Sequence, residues 1–174
     1  MKEMALTIAA AFALLAGAGF ATLHGSDPGD APPDRNAMIE RGRYLTVIGS
    51  CNDCHTHGYA ERAGEVPESD WLTGDALGWQ GPWGTTYPPN LRRLMAGLEE
   101  DEWLTYAKTV QLRPPMPWYQ LRAMTDDDLR AIYHFVRALR PVGAPAPAYL
   151  PPGATVAGPV VIFPGADVAP LARR

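Results

Sequence analysis

The pentapeptide Cys51-Asn52-Asp53-Cys54-His55 sets two thiols three positions apart and puts an imidazole directly after the second. Over one helical turn, sulfurs at that spacing reach the two vinyl groups of a haem and form thioethers, while the next side chain lies under the ring with a nitrogen available to iron. Covalent attachment through Cys51 and Cys54 and proximal ligation by His55 then come from one short stretch. Other chemistries compete for the same thiols. A four-ligand zinc site needs a second Cys/His pair at ligand spacing, and the remaining histidines, His24, His57 and His134, are scattered singly. A thioredoxin-like dithiol follows a strand, precedes a helix and makes no demand for His at the next position. A structural disulfide between the two cysteines is the third alternative. The expected cofactor is one covalently attached haem c.

Iron needs a second axial ligand, and its identity decides between electron carriage and small-ligand binding. The candidates are Met38, Met95, Met116, Met124, His57 and His134. His57 lies too close along the chain to His55 to reach the opposite face. His134 sits inside a helical pattern, and Met38, Met95 and Met124 lie on or beside helices, where methionine usually fills core space. Met116 stands apart: Pro114, Pro115 and Pro117 forbid helix around it and present its thioether from a stiff loop. His55 and Met116 are therefore the expected metal ligands. With both axial positions filled by protein, the chain would pass single electrons and would not be an enzyme. A sensor or ligand-binding haem protein is the alternative if Met116 is absent from the iron or easily displaced.

These residues need elements to hold them. From Asp34, Met38, Ile39, Tyr44, Leu45, Val47 and Ile48 among Arg and Glu predict an amphipathic helix ending at Gly49, with Gly42 inside it at a cost that close approach by another helix would explain. Residues 56–90 carry no sustained periodicity, and Trp71, Leu72, Leu77, Trp79, Trp83 and Tyr87 either cover the haem or pack as ordinary core. Short helices are predicted at Leu91–Leu98 and Glu100–Val110, and a last helix from Asp126 to Leu139, capped by Thr125 with three aspartates at its positive end. The domain expected is all-α, residues 35–140, followed by a Pro-rich tail over 141–174 that is either an extended strap or a loose extension. Ahead of it, residues 4–23 are uncharged and apolar, a secretory leader by first reading and an uncleaved membrane anchor by second. Residues 24–34 form a linker. A chain of 174 residues with 47% hydrophobic residues supports one core, and a net charge of −4 without a basic stripe excludes nucleic acid as partner.

The order of helix, Cys-x-x-Cys-His, aromatic Gly-rich loop, Pro-bracketed Met and C-terminal helix resembles a class I cytochrome c domain. It is most similar to the monohaem domains of bacterial dehydrogenase cytochrome subunits, through Arg41-Gly42-Arg43-Tyr44-Leu45, Trp83 to Leu91, Pro115-Met116-Pro117 and Asp127 to Tyr133. The resemblance covers residues 36–140. It implies three to five helices wrapped around one haem, first and last helices crossing near Gly42 with Tyr133 or a neighbour against it, and Asn90 lining the haem edge with Trp83 and Tyr87. The chain departs from the family in having Arg92-Arg93 where Thr-Pro-Asp is usual, and one haem motif where dehydrogenase subunits often carry three. The implied role is a periplasmic electron carrier, free after leader cleavage or held to the inner membrane. Its partners would be a dehydrogenase, a quinol-oxidising complex or a terminal oxidase. An accessory haem subunit of a membrane-bound complex is a further alternative. Acidic residues Glu99–Glu102 and Asp126–Asp128 would either steer a basic partner or serve only as helix-end charges.

Overall fold

The computed structural model describes residues 34–163; the leader expected at 1–23, nearly all of the linker and the last eleven residues of the tail lie outside the described residues. The first helix, α1, runs Arg35–Ile48, started by the Asp34 carboxylate accepting from the Asn36 amide. Gly42, Leu45 and Thr46 form its buried face, and the Thr46 hydroxyl donates to the Gly42 carbonyl. Tyr44, Val47 and Ile48, expected on that apolar face, remain exposed. The last helix, α6, comes from the far end of the domain, Asp126–Ala138, with the Thr125 hydroxyl accepting from the Asp128 amide. It buries Leu129, Ile132, Tyr133, Phe135 and Val136. This 3–4 spacing gives a stripe wide enough to meet several neighbours at once.

α1 against α6 is the most extensive contact between elements, and it is made at Gly42. A Cβ there would lie 2.0 Å from the Ala131 carbonyl oxygen and 2.8 Å from Phe135 Cβ. The absence of a side chain brings the two backbones together, as the sequence implied, with Ala131 and Phe135 rather than Tyr133 at the crossing. Tyr133 turns instead to donate its hydroxyl to the Leu98 carbonyl.

Between these helices lie α2 (Cys51–His55), α3 (Leu91–Ala96), α4 (Glu100–Thr109) and α5 (Trp118–Ala123). In α4 the Glu102 carboxylate accepts from the Glu99 amide, one half of a reciprocal capping box. The helix α5 has no counterpart in the expected pattern; it begins as soon as Pro117 has passed. The described residues therefore hold six helices, and the all-α expectation needs correcting as well. Strands β1 (Gly78–Gly81) and β2 (Gly84–Thr86) form a tight antiparallel hairpin, and β3 (Val160–Ile162) adds to β1 in parallel, giving the order β2-β1-β3. Glycine-rich strands of three and four residues have little propensity of their own, so the hairpin depends on a third strand some 80 residues later.

Of the two readings of the apolar side chains in residues 56–90, ordinary core packing holds for Trp71 and Leu72. Trp71 and Leu72 belong to the helical core, the Trp71 ring meeting Phe135 edge-on at 6.3 Å and its indole N–H donating to the Val66 carbonyl. Arg92, one of the departures from the family pattern, is only 3% exposed. Its guanidinium donates to four carbonyls, those of Trp71, Leu139, Glu68 and Ser69, and so ties α3 to the end of α6 and to the turn at 68–71. Arg92→Leu is expected to destabilise the domain by about 2 to 4 kcal/mol, because several carbonyls lose their donor together. Arg92→Lys should recover little of that, since a single ammonium cannot reproduce the fork. Urea midpoints of the two variants check both statements.

Candidate functional site

α1 stops at Gly49, Ser50 takes the left-handed conformation at φ 55°, and the chain turns directly into α2. That turn redirects the chain so that Cys51, Cys54 and His55 share one short helical segment. Gly49 fits this turn closely: a Cβ there would lie 2.8 Å from the Leu45 carbonyl oxygen, with Cys51 Sγ and the Met124 methyl both at 3.7 Å.

His55 is buried, at 6% exposure, and its Nδ1 lies 2.8 Å from the Pro89 carbonyl oxygen. A carbonyl only accepts, so Nδ1 carries the proton and donates, leaving the Nε2 lone pair free. Burial lowers the pKa of the ring and the Pro89 contact only partly opposes it, so the imidazole is held in the neutral form that can ligate a metal. The acceptor is fixed in turn. Gly74 donates its amide to the His55 carbonyl and adopts φ +83°, and a Cβ there would approach the Asn90 nitrogen to 2.8 Å and the Pro88 oxygen to 3.0 Å. Only glycine lets the 73–75 segment pass between His55 and the Pro88-Pro89 corner.

The rest of the turn is locked from the core side. The Thr56 hydroxyl donates to Asn52 Oδ1 at 2.7 Å and accepts from the Leu72 amide at 2.7 Å. Asn52 Nδ2 is a buried donor left without a partner among the described residues. Both cysteines are free. Burial pushes the Cys51 thiol up to about 11, and burial followed by the charges of Asp53 and Asp75 raises Cys54. Thiols raised in this way are poor thiolate nucleophiles, which argues against a redox dithiol. Among the described residues no cluster of three or more His, Cys, Asp or Glu side chains converges, so a zinc site has no further donors.

Of the other axial candidates, Met95 is 1% exposed in the helical core, with its carbonyl accepting from Arg137. His57 is exposed and pairs with Asp75, and His134 pairs with Glu100. Met124 ends α5, and its methyl and Cys51 Sγ both neighbour Gly49. Met116 is half-buried on its proline-bracketed loop, its carbonyl accepting from the Trp118 amide. Asn90 caps α3 by accepting from the Arg93 amide and gives its own amide protons to the Val142 and Ala144 carbonyls. Trp83 stands at the hairpin turn with its ring 5.4 Å from Phe163, and Tyr87 lies just past β2, half-buried. The acidic groups expected to steer a partner are largely engaged within the chain: Glu100 and Asp101 with Arg130, Asp128 with Arg41, Asp126 with Lys108. Pro89 and Gly74 are site residues that sequence reasoning missed. Neither has a distinctive side chain, and the bond from Pro89 to His55 spans 34 positions.

A neutral buried imidazole with a free nitrogen, one turn from two unpaired thiols, has the donor chemistry that a covalently attached haem requires, and the residues present fit that group. Comparison with known proteins points to the same class. The chain is 28% identical over 150 residues to the cytochrome c subunit of a quinone-dependent alcohol dehydrogenase from Gluconacetobacter polyoxogenes, covering 79% of this chain and 28% of that protein. It is 27% identical over 120 residues to the cytochrome subunit of fructose dehydrogenase from Gluconobacter japonicus, covering 63% of this chain and 23% of the relative. A third relative is the cytochrome c subunit of the quinone-dependent alcohol dehydrogenase from Gluconobacter oxydans, 27% identical over 155 residues, 78% of this chain and 27% of that protein. The chain thus spans less than a third of the length of these relatives. No protein-family model matches it, and no solved structure matches it significantly. These likenesses support a cytochrome c domain with a role in electron transfer.

Proposed function

We propose that this chain is a class I, monohaem c-type cytochrome that passes single electrons on the periplasmic side of the inner membrane, from a dehydrogenase or quinol-oxidising complex to a terminal acceptor. The observation that carries the reading is His55, neutral and buried, with Nδ1–H engaged by Pro89 and Nε2 free, in the same turn as Cys51 and Cys54. Bound there, the haem would supply reversible one-electron Fe(III)/Fe(II) chemistry. The protein's own residues do the remaining work. Cys51 and Cys54 would hold the group covalently, the Pro89 carbonyl orients the His55 imidazole that would ligate it, and Met116 would offer a thioether from a loop that its prolines keep stiff. His55 and Met116 would together hold the iron and leave it no coordination site for a substrate, which fits a carrier and not an enzyme. The cytochrome subunits among its relatives support a dehydrogenase as partner. The uncharged segment at 4–23 supports export, with cleavage leaving a free protein and retention leaving an anchored one.

The optical spectrum of the haem-loaded protein tests the ligand set. Sulfur ligation gives a weak ferric band near the red end, and Met116→Ala should abolish it and let the ferrous protein bind carbon monoxide, while Met95→Ala and Met124→Ala leave both properties unchanged. Loss of the band in Met124→Ala instead would transfer the ligand role to Met124. A wild-type protein that lacks the band and takes up carbon monoxide would favour a ligand-binding haem protein over a carrier.

A further inference from the structure

We infer that the C-terminal strap, residues 142–163, is the positioning element for the Met116 loop, acting through Tyr149, Arg113 and the hairpin residue Thr86. The inference rests on the reading of Met116 as an iron ligand. Residues 112–117 have no helical or strand structure, and none of them belongs to the apolar core. The prolines stiffen the loop locally, but its placement relative to the rest of the domain has to come from contacts outside it.

Two contacts supply it. The Thr86 hydroxyl donates to the Pro114 carbonyl at 2.9 Å, and the Arg113 guanidinium carbon lies 3.8 Å from the centre of the Tyr149 ring. These grip adjacent residues, two and three positions before Met116. Both anchors belong to a single frame. Tyr149 donates its hydroxyl to the Trp83 carbonyl at the hairpin turn, and Leu150 exchanges two backbone hydrogen bonds with Thr85, the neighbour of Thr86, at 2.8 and 3.0 Å. Beyond them β3 lies along β1, and the Phe163 ring closes over Trp79 and Trp83 at 5.8 and 5.4 Å. Strap and hairpin therefore form one slab, and the methionine loop is fastened to it at two adjacent points.

The other end of the strap bears on the segment that orients His55. Asn90 donates to the Val142 and Ala144 carbonyls, and it directly follows Pro89, whose carbonyl orients His55. A neutral thioether is a weak iron ligand, so its occupancy depends on how little conformational freedom the loop loses when it binds. Fastening the loop to the slab adds to the stiffness of its prolines and removes further freedom beforehand.

The test compares Tyr149→Ala, Arg113→Ala and Tyr149→Phe in the full haem-loaded chain, with Met116→Ala as reference. Loss of the stacked cation–π contact together with the Tyr149 hydroxyl bond should raise the rate of carbon monoxide binding to the ferrous protein about tenfold, and Arg113→Ala alone should raise it about threefold. Hydrogen exchange of the Trp118 amide, which is bonded to the Met116 carbonyl, should accelerate in step, while the melting temperature changes little. Tyr149→Phe keeps the ring under the guanidinium but loses the hydroxyl bond to Trp83, and should raise the rate only about threefold. If Met116→Ala opens the iron but Tyr149→Ala and Arg113→Ala leave carbon monoxide binding and Trp118 exchange at wild-type rates, the inference is overturned. If Met116→Ala itself changes nothing, the ligand reading has failed and the inference falls with it. Should Tyr149→Ala not fold, Arg113→Ala, at an exposed side chain, decides the question alone.

Discussion

With both Cys51 and Cys54 replaced by alanine, the protein is expected to lose haem completely on a denaturing gel, whereas either single replacement should leave a reduced but visible haem-staining band. Each thioether needs its own sulfur, and no other cysteine exists in the chain to substitute for a lost one. The raised pKa values of the two thiols do not stand against this, because they describe the protein alone, with both thiols neutral and half-buried in the helical turn that carries His55. The double variant should keep its helices, since neither sulfur is essential to the contact between α1 and α6. Haem that stayed with the denatured double variant would refute covalent attachment through this motif.

Gly42→Ala is expected to cost about 3 kcal/mol or more, a fall in melting temperature on the order of 10 °C, although alanine is intrinsically the better helix former by about 1 kcal/mol. The contact decides the sign. The added Cβ would sit 2.0 Å from the Ala131 carbonyl oxygen, and that atom is backbone, so relief requires the helices to separate along their whole interface. Gly97→Ala is the control: Gly97 ends α3 on the surface, with the nearest atom to an added Cβ at 3.6 Å. It should change stability by less than about 0.5 kcal/mol. Equal melting curves for the two variants would mean that α1 and α6 do not cross at Gly42.

What the amino-acid sequence determined by itself was local. The spacing Cys51, Cys54, His55 states its chemistry within one turn, and α1, α3, α4 and α6 announce themselves through caps and apolar periodicity close along the chain. Gly42 could be read as a crossing point because a glycine inside a helix needs a reason. Tertiary structure decided everything that depends on groups meeting across long separations. The Pro89 carbonyl that sets the state of His55, the four carbonyls gathered by Arg92, and the pairing of β3 with β1 leave no periodic trace, because backbone carbonyls are the same at every position. Residues 56–90 read as irregular for the same reason: Trp71 and Leu72 are core only because α6 returns to meet them, and the hairpin is a strand pair only because the tail comes back to extend it. The strap was the least legible part. Its residues are Pro, Ala and Gly with few side chains to pack, and its anchorage runs through main-chain bonds and single side chains such as Asn90 and Tyr149, which acquire a partner only once the chain has closed on itself.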